Sequence, residues 1–349
     1  NIVINGAMTV VQRGVSSTTN GYGSVDRFQC SFSATDESPT HTQHTLTSSD
    51  TGPYAEGFRK SFHVQNGNQT GGAGASDFIR LWHKIEAQDL ANSGWNYTSS
   101  SSYITLSFWV KSSVAQNFYG YLLTSDGTSQ RYAFETGSLS ANTWTKVTKT
   151  ITGNSNLQFD NDNGVGLNII WWPYLGTTYT DAGVSLNAWG AFASGTRTPV
   201  NTSTWYSTND ATFEITGVQL EVGSVATDFE HRSFGQELAL CQRYCYADRG
   251  SEDYHAVAQG HFNGTTTAIA MLYLPVCMRA APTLAYPTGT WIFSGDFGTA
   301  AQSNIYPQDN IVGVNAIQIR GAVSGGQSGE GFLLRTSSAG HSWILSAEL

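Results

Sequence analysis

Few residues in this chain stand in the types and spacings that chemistry requires. His41 and His44 have two residues between them, but the Glu of a zinc-peptidase helix is missing. Their surroundings are rich in Pro and Thr, so they read as exposed loop histidines. The run Phe159-Asp-Asn-Asp-Asn-Gly164 looks superficially like a calcium loop. Placing Gly164 at the sixth loop position puts Phe159 at the first ligand position, which excludes an EF-hand. An Asn/Asp/Gly turn is the simpler reading, with a cation site on Asp160 and Asp162 the alternative. Gly71-Gly-Ala-Gly74 lacks the third glycine and the following helix of a phosphate cradle, and Gly326-Gln-Ser-Gly329 has the wrong spacing for a nucleophile elbow. Glycoside cleavage needs two carboxylates, and Glu56, Glu86, Asp89, Glu135, Asp160 and Asp162 are available. Nothing singles out a pair. The expectation is therefore no enzyme, no catalytic residue, no metal and no cofactor.

Aromatic residues are the better hint of recognition. Flat rings stack on the C–H faces of sugars while amides and carboxylates read the hydroxyls. Trp95 and Tyr97, then Trp171, Trp172 and Tyr174, then Trp205, Tyr206 and Asn209 each combine aromatic and polar groups near expected loop ends. They are the candidate glycan contacts, although the commoner fate of such side chains is the core or a subunit interface. Trp109 and Trp144 fall mid-strand and read as structural.

The elements that must position these residues are strands. Charged residues make up 12% of the 349, about half the usual quarter, while aromatics reach 12% and Gly numbers 37. Ser, Thr, Asn and Gly separate the apolar runs, a β-rich and turn-rich composition. A net charge of −9 without a basic stripe argues against binding a phosphate backbone or an anionic membrane. No apolar run approaches the roughly 18 residues of a membrane span, and the first residues lack a signal-peptide core. The chain starts at Asn1 without an initiator Met, which points to processing or to an upstream segment.

Alternation predicts strands over Val25–Ser33, Arg59–Gln65, Asp77–Glu86 and Ser100–Ser112, the last with Ile104, Leu106, Phe108 and Val110 on one face. Asn117–Thr124 and Gln130–Glu135 form a hairpin around Asp126-Gly127, and Thr143–Ile151 follows. The apolar run Gly166–Trp172 reads as buried on both sides until Pro173 stops it. Asp36–Pro53 reads as a long exposed loop.

In Ala211–Tyr246 a strand becomes a helix. Phe213, Ile215, Val218, Leu220 and Val222 are spaced mostly by two, and the extra step at Gly217 marks a bulge. Ser233 and Gln236 form a capping box, after which Phe234, Leu238, Cys241 and Cys245 recur at helical spacing. Cys30, Cys241, Cys245 and Cys277 read as free buried thiols, since an i,i+4 pair suits two small apolar groups and no further zinc ligands lie near. Smaller strands are expected over Tyr254–Phe262, Thr265–Val276, Trp291–Phe297, Ile311–Ile319, Gly331–Arg335 and Ser342–Leu349, punctuated by Pro275, Pro282, Pro287 and Pro307.

Three segments carry a family resemblance. V-Q-L-E-x-G, A-T-x-F-E-x-R and E-L-x-x-C-Q-R-Y fall within Val218–Gly223, Ala226–Arg232 and Glu237–Tyr244; the opening Asn1–Gly14 and the closing Ser342–Leu349 accompany them. Together they resemble tail-fibre and tail-associated virion proteins of tailed phages, as does Val276–Pro282. The strand order from S-F-H-V through L-S-F-W-V-K to E-I-T-G-V-Q-L-E resembles jelly-roll carbohydrate-binding modules. None of these segments is a catalytic motif.

The expected architecture is all-β: an N-terminal arm over 1–24, a jelly-roll β-sandwich over 25–232, a helical hinge over 233–249 and a smaller antiparallel β domain over 250–349. The resemblance implies a structural virion protein, assembled in the host cytoplasm and located in the tail, that contacts host surface polysaccharide. Such fibres are commonly trimers, with Phe234, Leu238 and Cys245 as interface candidates and other virion proteins as partners. A capsid decoration or neck protein, a polysaccharide depolymerase and a free carbohydrate-binding module are the alternatives.

Overall fold

The computed structural model describes residues 1–249, 255–285, 291–295, 298–302, 305–323, 325–337 and 342–349. Tyr254, Pro287 and Phe297 lie outside the described residues. The chain forms two compact units, one of Asn1–Glu237 with Leu349 and a second of Leu238–Glu348.

The first unit is a jelly-roll β-sandwich. Sheet A has the order β1-β3-β4-β12-β6-β9, comprising β1 (Ser16–Ser17), β3 (Thr40–Thr45), β4 (Lys60–Gln65), β12 (Thr212–Val222), β6 (Tyr103–Ser112) and β9 (Thr145–Thr152). Sheet B has the order β11-β8-β7-β10-β5-β2, comprising β11 (Trp189–Ala191), β8 (Gln130–Ser138), β7 (Asn117–Thr124), β10 (Val165–Leu175), β5 (Phe78–Glu86) and β2 (Phe28–Ser33). All pairings within both sheets are antiparallel. The chain crosses between sheets at β1–β2, β2–β3, β4–β5, β5–β6, β6–β7, β8–β9, β9–β10 and β11–β12, so that each strand buries its apolar face against the other sheet. Between the sheets lie Phe62, Ile79, Leu81, Phe108, Phe134, Ile169, Trp171, Phe213 and Ile215, all fully or almost fully buried.

Alternation assigns most of these strands correctly, and the exceptions have local causes. The segment expected as one exposed loop contains β3, and His41 is buried in it. Its Nε2 donates to the Thr19 carbonyl (3.0 Å) and its Nδ1 accepts from Ser24 Oγ (2.7 Å), so a neutral imidazole is satisfied inside the fold. Pro173 does not end its strand. β10 continues to Leu175 because its pairing with β5 shifts register between Trp171 and Tyr174, where no ladder N–H is needed.

The bulge read at Gly217 is present: β12 slips against β6 between Thr216 and Gln219, and Gly217 has φ +61°. Beyond it β4 no longer pairs with β12, and residues 1–6 take its place. Ile2 N donates to the Leu220 carbonyl (2.8 Å), and Val218 N to the Gly6 carbonyl (3.0 Å).

A short helix, α1 (Ala87–Ala91), follows β5. The second, α2 (Phe234–Gln242), starts with the expected capping box: Ser233 N donates to Gln236 Oε1 (3.0 Å), and Gln236 N to Ser233 Oγ (3.4 Å). It ends earlier than expected, since Tyr244 N closes a turn on the Cys241 carbonyl and Cys245 begins a strand.

The second unit holds β13 (Cys245–Arg249), β22 (Ser342–Ser346) and β16 (Thr283–Ala285) in a three-stranded sheet. A seven-stranded sheet runs β18 (Gly298–Gln302), β17 (Trp291–Gly295), β21 (Gly331–Thr336), β14 (Ala256–Phe262), β15 (Thr267–Tyr273), β20 (Ala316–Ala322) and β19 (Ile305–Val312). Its core includes the tryptophan pair Trp291 and Trp343, with rings 4.7 Å apart.

Candidate functional site

The aromatic residues singled out in the sequence are mostly core, a correction to their reading as glycan contacts. Trp171, one residue from Trp172, points between the sheets against Phe28 and Phe108, while Trp172 packs outward on Phe78 and Tyr121. Both are 1% exposed. Tyr174 stacks on Tyr206 at 4.0 Å, and the Tyr206 hydroxyl donates to Asp77 Oδ2 (3.1 Å). Trp205 is fully buried, donating from Nε1 to the Thr212 carbonyl (2.9 Å). Trp95 is buried beside Phe159. Only Tyr97, half-buried against Phe159, and Asn209, exposed, reach the surface. Trp171, Trp172 and Tyr174 lie within β10 and not at a loop end, and apolar packing on its two faces absorbs their rings.

The interface candidates also separate. Phe234 is 60% exposed and Leu238 half-buried, but Cys245 is fully buried in β13 opposite Ser346. Cys245 therefore cannot share a helix face with the other two. Cys30, Cys241 and Cys245 are buried and form no disulfide, with burial pushing Cys30 up to about 12, whereas Cys277 is exposed.

Functional geometry instead gathers on the outer face of sheet A. Period two that sends Phe108, Val110, Phe213 and Ile215 inward sends Trp109, Lys111 and Glu214 outward. Glu214 accepts from His44 Nδ1 (3.1 Å), Ser61 Oγ (2.8 Å) and Lys111 Nζ (3.0 Å). Lys111 reaches on to Asp50 Oδ1 (3.1 Å), which also takes the Trp144 indole N–H (2.9 Å). Burial alone would raise the Glu214 carboxyl, but His44, Lys111, His63 and Ser61 together hold it down at about 2. Asp50 is likewise held at about 2 against its own burial by the Thr47 N–H, Trp144 and Lys111.

Asp50 belongs to the segment that runs from Leu46 to Phe58 over this face. Glu56 pins its far end, accepting from Trp109 Nε1 (2.9 Å) and, on both oxygens, from Lys146 Nζ (3.0 Å). Gly52, at φ +99°, lets the backbone lie on the Trp109 indole; a Cβ there would sit 2.7 Å from the ring.

Beside Glu56 opens a cleft of about 560 Å³ lined by Ala55, Glu56, Gly57, Asp228, Phe229 and His231. Phe58 forms the packing beneath it, with ring centroids 4.8 Å from Phe229 and 5.1 Å from His231. Phe58 in turn rests on Gly217, where a Cβ would come within 2.7 Å of its ring. His231 Nε2 donates to the Glu56 carbonyl (2.9 Å), which sets Nδ1 as the acceptor nitrogen. The rim thus offers carboxylate and imidazole acceptors over an aromatic wall, a combination suited to hydroxyl groups.

Period two also splits the segment Ala226–Arg232. Phe229 and His231 face the cleft, while Glu230 and Arg232 hold the opening residues. The Asn1 nitrogen contacts Glu230, Arg232 donates to the Asn1 and Val3 carbonyls, and Asn5 N donates to Glu237. Gln219 accepts from Glu230 N (2.9 Å), and Glu221 from Thr227 N (2.9 Å). The residues carrying the sequence resemblance thereby bind one another.

Of the six candidate carboxylates in the sequence, Glu56 alone lines this cleft. Asp228, Phe229 and His231 were missed as site residues; the alternation of Phe229 and His231 was the available signal, and it does not extend to Asp228. Asp162 Oδ1 accepts Gly164 N (2.8 Å), as a turn requires. Among the described residues no group of three or more His, Cys, Asp or Glu is arranged around a metal position.

No family model matches the chain, and no curated protein matches it in sequence. Among solved structures it is similar to a tailspike protein 4 domain of bacteriophage CBA120, at 11% identity and TM-score 0.32 over 64% of this chain and 21% of that one. It is also similar to the family 11 carbohydrate-binding module of Clostridium thermocellum in complex with a mixed-linked tetrasaccharide (9% identity, TM-score 0.28, 63% of this chain, 100% of that one). A family 30 carbohydrate-binding module matches at 10% identity and TM-score 0.27, over 64% of this chain and 89% of that one. The chain spans about a fifth of the tailspike domain's length. Likenesses this loose leave the jelly-roll assignment resting on the sheet order and register above.

Proposed function

We propose that this chain is a structural, non-enzymatic virion protein of a tailed phage, of the tail-fibre or tail-associated kind, that contacts host surface glycan. The cleft on the outer face of sheet A is the contact. The observation that carries the reading is the placement of the resemblance-bearing segment: Asp228, Phe229 and His231 line the cleft while Glu230 and Arg232 tie the segment to the fold. Glu56, whose oxygens are engaged by Lys146 and Trp109, acts as a positioned acceptor with no assigned role in bond cleavage.

Three measurements test this. Cryo-electron microscopy of virions should place the chain on the tail; density on the head or collar would make it a decoration or neck protein. A glycan array should give signal that Asp228→Asn and His231→Ala reduce about tenfold, the loss of a hydrogen bond or two. New reducing ends on incubation with host polysaccharide would replace the adhesive reading with a depolymerase.

The same proposal makes the protein a homotrimer with Phe234 and Leu238 at the contact. Light scattering should give about three times the 37.6 kDa chain mass. Phe234→Ser should lower it, and a monomeric parent would remove the trimer.

A further inference from the structure

One anion at the cleft is unpaired. Glu56 gives both carboxylate oxygens to Lys146 Nζ (3.0 Å) and one to Trp109 Nε1 (2.9 Å), so its charge is balanced from β9 and β6. Glu230 is held by Arg232 Nη2 (3.4 Å) and by the Asn1 nitrogen. Glu221 accepts from Thr227 N (2.9 Å) and Thr227 Oγ1 (2.6 Å). Asp228 differs from these neighbours. Its backbone carbonyl accepts from Gln219 Nε2 (3.3 Å), but its exposed carboxylate takes part in no hydrogen bond or salt bridge among the described residues. Nor does the lining contain a lysine or arginine among the described residues. Arg232 is turned to the Asn1 and Val3 carbonyls, and Arg59 stacks 3.8 Å over the Tyr54 ring while donating to the Phe58 carbonyl (2.8 Å).

Hydrogen-bond donors are scarce in the same lining. The N–H groups of Glu56 and Gly57 turn back to the Gly52 and Tyr54 carbonyls (both 3.2 Å). His231 Nε2 donates to the Glu56 carbonyl (2.9 Å), which leaves Nδ1 of the neutral imidazole as an acceptor. The cleft therefore presents acceptors and an unbalanced negative charge beside the half-buried Phe229 ring. A neutral sugar can use only its donors there, and a uronate or sulfated sugar brings an anion towards Asp228. An ammonium group brings three donors, no acceptor and a positive charge. The net charge of −9 on the chain favours a cation in the same direction.

We infer that the glycan taken by the cleft carries a protonated amino group, as in a hexosamine without its N-acetyl group. The ammonium pairs with Asp228, sugar hydroxyls donate to His231 Nδ1, and the C–H face of the ring rests on Phe229. This rests on the reading of the cleft as a glycan contact and adds the class of glycan that it takes.

The test uses the full chain and calorimetric titration with a glucosamine trisaccharide, its fully N-acetylated counterpart and a galacturonate trisaccharide. Ionic strength is held constant, and the buffer keeps the amines protonated. The glucosamine trisaccharide should bind about fivefold or more tighter than the acetylated one, the effect of an exposed ion pair with a charged hydrogen bond. The galacturonate trisaccharide should bind weakest. Asp228→Asn keeps the shape of an exposed side chain and removes its charge, so it should abolish the preference for the amine. His231→Ala should weaken the glucosamine trisaccharide as well, which locates the binding at the cleft. A preference that survives Asp228→Asn would trace to the general negative charge of the chain and overturn the assignment. Equal or tighter binding of the acetylated or galacturonate trisaccharide, lost in His231→Ala, would overturn the amine while keeping the glycan contact. Absence of saturable binding by all three would remove both.

Discussion

Histidine is the residue whose surroundings make the most testable statement. His83 is buried on β5, with Nδ1 donating to the Arg27 carbonyl (3.1 Å), and burial drives its pKa well below 6.5. Burial likewise lowers His41 and His63. Each of these prefers to stay neutral in the fold, so its contribution is complete above pH 6.5 and is lost as pH falls below that value. His44 runs the other way. Its hydrogen bond to Glu214 raises it, so its contribution is complete below 6.5 and is lost as pH rises through the raised value. Three against one predicts that the melting temperature falls between pH 7 and pH 5. A further fall follows below pH 4.5, as Glu214 and Asp50 approach their folded values of about 2. Near-ultraviolet circular dichroism melts across this range check the sign; a flat or rising profile from pH 7 to 5 would contradict it. His83→Asn should flatten part of the slope.

Among the elements, β12 does two jobs because of one residue. The extra residue at Gly217 ends its pairing with β4, admits residues 1–6 alongside, and makes room for the Phe58 ring beneath the cleft. A side chain at φ +61° is strained even before it meets Phe58. Gly217→Ala should therefore cost about 1–3 kcal/mol in urea unfolding and weaken ligand binding at the cleft together with stability. A variant as stable as the parent would show that Phe58 moves freely. The bulge was legible in the spacing of Ile215, Val218 and Leu220. So was the capping box of α2, because both are local. The premature end of α2 was not, since Cys241 and Cys245 suit a helix equally well by spacing. Cys245 leaves it because β22 offers five residues of pairing.

At the scale of the molecule, each compact unit has its own apolar core. Trp343 is fully buried against Trp291 in the second. Trp343→Ala should cost that unit about 3–5 kcal/mol. Hydrogen exchange should quicken in β14, β15, β20 and β21, with β5, β6, β10 and β12 keeping their protection. Quickening in both sets would mean one shared cooperative unit.

The sequence alone determined that this chain is all-β, where most strands run and which side chains share a face, because alternation and turn chemistry act over a few residues. It also placed the bulge at Gly217 and the cap at Ser233. Only the tertiary structure decided which outward faces stay open. Trp172 and Trp109 both point away from the sandwich core, yet Trp172 is covered by residues from the 176–198 segment and Trp109 by Gly52 and Glu56. Alternation names a side of the sheet without saying what lies over it. The meeting of Asn1 with Arg232 and of Glu56 with His231 depends on sheet order and loop path. Those are set by packing among residues far apart in the chain.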